Sequence, residues 1–99
     1  MANAVEIATF NHKKGASVSE FLLVSDRFNR VFLTTQKGYI SRKLLRDGEM
    51  WADSVLWETM EDAHRAYKNV DAAAAAGEYL SFMDEESIKV LLLPVERIY

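Results

Sequence analysis

The sequence has no cysteine, one proline and four glycines in 99 residues. Without thiols there can be no disulfide, no thiolate nucleophile and no cysteine-ligated metal, and a cytoplasmic location is the expectation. The two histidines, His12 and His64, have no carboxylate at ligand spacing beside them, so no metal site is expected. No apolar run approaches the roughly 18–20 residues that span a bilayer. The opening MANAVEIATFN lacks the positive and apolar regions of a secretory signal, and no membrane partner is expected. Basic residues are outnumbered 12 to 15, for a formal net charge of −3. The basic stretches HKK (12–14) and SRKLLR (41–46) are short and interrupted, which argues against nucleic acid as a partner. Gly15, Gly38, Gly48 and Gly77 are too scattered for a phosphate loop, and no local Ser-His-Asp signature is present.

What is there describes one soluble globular domain spanning 1–99, with 49% hydrophobic and 27% charged residues. AVEIATF (4–10) reads as a first strand and NHKKGAS as a polar loop. Ser17 and Glu20 have capping-box spacing, and Val18, Phe21, Leu22, Phe28, Val31, Phe32 and Thr35 recur at helical intervals to about residue 36. Gly38 suits the helix exit. Residues 39–58 read as two strands around Asp47, Gly48 and Glu49, a hairpin signal. Thr59 offers an N-cap for a second helix, with Glu61 and Asp62 in the first turn where the dipole favours acids. That helix is expected to break near KNVD and restart at Asp71, with Gly77 inside the second part. DEES reads as a solvated loop, and IKVLLLPVERIY closes the chain as a strand disturbed at Pro94.

The order β-α-β-β-α-β predicts an α+β, ferredoxin-like fold with an antiparallel sheet. Two helices cover one face of such a sheet. Yet KVLLLPV and DSVLW are apolar on both parities, as in strands buried on both sides. A second copy of the same sheet is the simplest cover, which predicts a homodimer through the sheet face, with residues after Pro94 crossing to the partner.

With the elements placed, the chain resembles the dimeric α+β barrel superfamily and, within it, the antibiotic biosynthesis monooxygenase (ABM) family. The resemblance spans nearly the whole chain. It rests on the element order, on LWETMEDAHRAY (56–67) and on Gly38-Tyr39-Ile40 opening the second strand. It implies a small-molecule pocket between helices and sheet. It also implies, in the oxygenase members, chemistry without metal or flavin, so no cofactor is expected. Haem-degrading relatives carry an asparagine near the end of the first strand, which Asn11 matches. Their tryptophan and iron-ligating histidine further along the second helix have no counterpart in AYKNVDAAAAAGEY.

Candidate chemistry follows residue by residue. Met60, Ala63, His64, Tyr67 and Val70 fall on one helical stripe, so His64 is a candidate base or donor and Tyr67 a candidate donor. Each has an alternative as a boundary or core residue. Asn11 and His12 are candidate substrate contacts at the pocket mouth, or else polar residues ending a strand. Phe28, Phe32 and Trp57 are candidate pocket walls, Trp57 doubling as a packing residue. Trp51 reads as an edge or dimer contact, or a stacking platform. Arg42 and Arg46 share a strand face, where one can pair across the hairpin. Two functions are carried forward: an ABM-type oxygenase acting on a hydrophobic or aromatic small molecule, and a non-catalytic dimeric ligand-binding or stress-associated protein. An interaction module working through the open sheet face is the third.

Overall fold

The computed structural model describes residues 2–99. Four strands, β1 (Ala4–Asn11), β2 (Tyr39–Asp47), β3 (Met50–Trp57) and β4 (Lys89–Pro94), form one antiparallel sheet in the order β2-β3-β1-β4. Three α-helices accompany it: α1 (Val18–Val31), α2 (Met60–Asn69) and α3 (Ala74–Leu80). β1 and β2 are separated by β3, and β3 and β4 by β1, so each crossover passes over a strand that belongs to the other half. That is the ferredoxin-like α+β arrangement the element order predicts.

Local chemistry explains the boundaries. The Ser17 hydroxyl accepts the Glu20 amide at 3.3 Å and that of Thr59 accepts the Asp62 amide at 3.0 Å, so both predicted caps are made. α1 ends at Val31, earlier than its apolar spacing predicts, and continues as a 3-10 turn over Leu33–Thr35. Asp71 does not cap the restarted helix. It lies within a 3-10 turn over Val70–Ala72, and α3 begins after Ala73 with no side-chain cap. The closing strand ends at Pro94, although the Val95 amide still reaches the Asn3 carbonyl at 2.8 Å. The hairpin connection is Gly48-Glu49, with Gly48 at φ +61°. Glycine in the first of two loop positions matches the twist of the flanking strands. Gly38, at φ +87°, passes so close to the start of α2 that any side chain would overlap the Asp62 carboxyl.

Strand alternation sorts the two faces of the sheet. Trp51, Asp53, Val55 and Trp57 of β3 are all buried beneath the helices, together with Ala4 and Phe10 of β1. Trp51, a candidate edge residue by sequence, is therefore core. On the opposite face Leu45, Leu91 and Leu93 are at least half exposed.

One polar cluster crosses this core. Arg42 of β2 donates from Nε and Nη2 to the two carboxylate oxygens of Asp53 on β3, at 2.9 and 3.0 Å. Its Nη2 also reaches Ser25 Oγ of α1 at 2.9 Å, and the Tyr79 hydroxyl of α3 donates to Asp53 at 2.7 Å. The guanidinium lies 5.4 Å from the Phe28 ring centre and 5.2 Å from that of Tyr79. Arg42 and Asp53 side chains are only 7% and 8% exposed. Removing one member of such a pair strands the other's charge in the core. Asp53→Ala is therefore expected to lower stability by about 3–5 kcal/mol in urea titration. The combined Arg42→Met, Asp53→Leu variant should recover much of that loss.

Candidate functional site: a cavity between helices and sheet

Two of the four inward positions on β1 carry alanine. Ala4, Glu6, Ala8 and Phe10 share that parity, and Ala66 is the facing residue of α2. Between two flat layers, alanine opposite alanine leaves space that larger side chains would fill. A cavity of about 100 Å³ lies there, walled by Phe28, Phe32, Val55, Trp57 and Tyr79 and partly open to solvent. An apolar cavity of about 150 Å³ accommodates benzene. A single ring therefore requires modest yielding, and the rim can supply it: Tyr67 and Leu80 line the cavity and are 49% and 36% exposed.

Two carboxyl groups line this apolar space, in unlike environments. Asp53 is fully engaged by Arg42 and Tyr79. Glu6, largely buried, receives a single long bond, from Trp57 Nε1 to Oε1 at 3.4 Å. Its Oε2 has no protein partner and is accessible to solvent. Burial raises the Glu6 pKa above its ordinary value, assisted by the negative charge of Asp53 and opposed by the Trp57 bond. Tyr79 is pushed above the usual phenol range, first by burial and then by Asp53. Burial works against the Arg42 charge, but its bonds to Asp53 outweigh that and raise its pKa.

Of the residues singled out by sequence, Phe28, Phe32, Trp57 and Tyr67 converge on the cavity. His64 does not. It is exposed on α2 and absent from the cavity wall, because the inward positions of that helix are Ala63, Ala66, Tyr67 and Val70. Asn11 and His12 lie at the other end of the sheet, in a separate cleft with Arg46 and Trp51. There the Asn11 amide binds Ser87 Oγ at 2.8 Å, and its carbonyl accepts the Asp84 amide. His12 packs edge-on against Phe21 at 4.2 Å and stacks on Trp51 at 4.7 Å. Its Nε2 is buried without a partner, and burial, with the Arg46 charge nearby, lowers its pKa below the ordinary imidazole value. No group of three or more possible metal ligands occurs among the described residues. No helix among them is long and apolar enough to cross a membrane.

Sequence reasoning missed Glu6, Asp53 and Tyr79 as site residues. A signal for Glu6 was available: it is the one charged residue at an inward position of a strand flanked there by alanines. For Asp53 the signal was an acid at the centre of a strand otherwise apolar at that parity.

The raised Glu6 pKa fixes the sign of a stability effect. The folded state holds the proton more tightly than the unfolded chain, so this group's contribution falls as pH rises through the folded-state pKa. Glu6→Gln should match the wild type in Tm near pH 4. It should exceed it increasingly towards pH 7, as differential scanning calorimetry would show.

No protein-family model and no curated protein matches the sequence. Solved structures do. SnoaB, a cofactor-independent oxygenase from Streptomyces nogalater, superposes with a TM-score of 0.78 at 16% identity, over 99% of this chain and 97% of that one. A candidate antibiotic biosynthesis monooxygenase from Nitrosomonas europaea gives a TM-score of 0.70 at 16% identity, over 96% and 91%. A protein from Agrobacterium tumefaciens, of the nipsnap family and of unknown function, gives 0.67 at 12% identity, over 99% and 92%. The chain shares the α+β fold of these proteins, as its element order implies.

Proposed function

We propose that the protein binds a small aromatic molecule in the cavity between helices and sheet and oxygenates it without a cofactor. The observation that carries this reading is an apolar cavity containing one carboxyl group with an unengaged oxygen. The shared fold of a cofactor-independent oxygenase supports it. In such chemistry an acidic CH2 of the substrate loses a proton, and the carbanion passes electrons to dioxygen. One oxygen atom is retained as a carbonyl and the other leaves as water, so that CH2 and O2 become C=O and H2O. The protein's part is to exclude water, hold the ring and accept the proton. Phe28, Phe32 and Trp57 are the walls, and Tyr67 stands at the rim as a donor.

Binding without turnover is the second reading. The small cavity favours it, since a fused tricycle would have to displace Tyr67 and Leu80. Trp57 in the wall provides the assay. A panel of naphthols, hydroquinones and anthrone should include a member that quenches tryptophan emission saturably and raises dioxygen uptake above the buffer rate. Saturable quenching with no uptake across the panel would favour the binder, and neither response would remove the cavity as a ligand site.

The reading includes a homodimer formed through the open sheet face. Leu45, Leu91 and Leu93 expose 51%, 56% and 50% of their surface there, and Ile98 and Tyr99 beyond Pro94 are exposed at 80% and 107%. Exposed apolar surface of this kind is normally covered. Sedimentation should give twice the chain mass of 11.3 kDa, and Leu91→Lys should shift the protein to monomer. A wild-type monomer at tens of micromolar would sink this part.

A further inference from the structure

We propose that Glu6 is the polar anchor of the cavity: its carboxylate accepts the hydrogen bond of a hydroxyl on an otherwise apolar ring and thereby selects which rings bind. The proposal rests on the reading of the cavity as a ligand site, and goes beyond it by assigning the discriminating residue.

The argument is one of unspent hydrogen-bonding capacity. A carboxylate accepts at about four lone-pair sites, and a largely buried one normally fills them. Asp53 fills three of them, with two bonds from Arg42 and one from Tyr79 that together engage both oxygens. Glu6, a residue of the cavity wall, holds one bond at 3.4 Å, from an indole N–H to Oε1, and its Oε2 has no protein partner. No cation is within salt-bridge distance of Glu6 among the described residues. A structural role would be better served by an apolar side chain at this inward position.

The surroundings sharpen the assignment. From β3, Asp53 and Trp57 face the cavity, from α3 Tyr79, from α2 Tyr67 at the rim and from β4 Val90, while Leu92 pairs with Glu6 across the strands. The Arg42 charge lies behind Asp53 and is spent on it. Of the two carboxyl groups in the cavity wall, Glu6 is thus the one with an oxygen that no protein group engages. Because its carboxyl takes up a proton more readily than an exposed one, the contact should weaken as pH falls. Asp53 does not share this role while Arg42 and Tyr79 hold it.

Isosteric probes test this. p-Cresol and p-xylene differ by a hydroxyl in place of a methyl, so the ratio of their dissociation constants isolates that contact from ring burial. Calorimetric titration of the wild type and Glu6→Leu at pH 7.5 should show the ratio moving roughly 10-fold or more towards p-xylene in the variant, as loss of a charge-assisted bond implies. In the wild type, p-cresol affinity should fall on acidification while p-xylene affinity stays level. Glu6→Gln, which keeps an acceptor but cannot titrate, should keep part of the preference and lose the pH dependence. An unchanged ratio in Glu6→Leu, with the variant folded by its thermal transition, overturns the assignment and leaves the cavity reading standing. Failure of both rings to bind the wild type overturns both.

Discussion

The arrangement depends on the charge pair of Arg42 and Asp53. Taking two charges out of water costs several kcal/mol each, and a well-packed apolar pair of similar volume is often as stable or more so. What this pair supplies is a geometric constraint. Its four principal contacts draw on β2, β3, α1 and α3, and each is directional. A one-residue slip of the β2–β3 register would carry Arg42 to the open face and leave Asp53 buried without its cation. The pair therefore defines which face of the sheet is inner and where two of the three helices sit. Tyr79 then becomes a wall of the cavity as a by-product of being Asp53's third partner.

The fold was legible because it is written in periodicities and caps. Alternation in AVEIATF, the spacing from Val18 to Phe32 and the hydroxyls of Ser17 and Thr59 are local signals, and local hydrogen bonds honour them. The misses are places where tertiary packing overrides local preference. α1 tightens into a 3-10 turn so that Leu33 can enter the core, and α3 starts without a capping side chain because packing of Ala76 and Tyr79 holds it. Trp51 was misjudged for a related reason. Its neighbours in space, Phe10, Phe21 and His12, come from elements whose meeting is invisible in a linear reading.

The site was legible in its walls and not in its polar groups. Large aromatics at helical spacing announce a core, and a cavity borders that core. His64 illustrates the limit: its stripe is genuine, but a histidine at the stripe's edge turns outward when alanines already fill the inward turns. Glu6 shows the reverse, since an acid in a strand is usually assigned to the wet face. Only the parity of its alanine neighbours says otherwise. The cavity itself is a deficit of volume, and volume depends on which residues face each other across layers.

α3 is seven residues long, rich in alanine, interrupted by Gly77 and begun without a cap, yet Tyr79 and Leu80 both belong to the cavity wall. Isolated helices of that length do not hold their shape in water. Its backbone amides should therefore exchange with solvent through local opening, well ahead of those in β1 and β3. A segment that opens in this way would act as a hinged door, and the cavity's capacity would then be set by how cheaply one short helix lets go and not by the volume enclosed at rest.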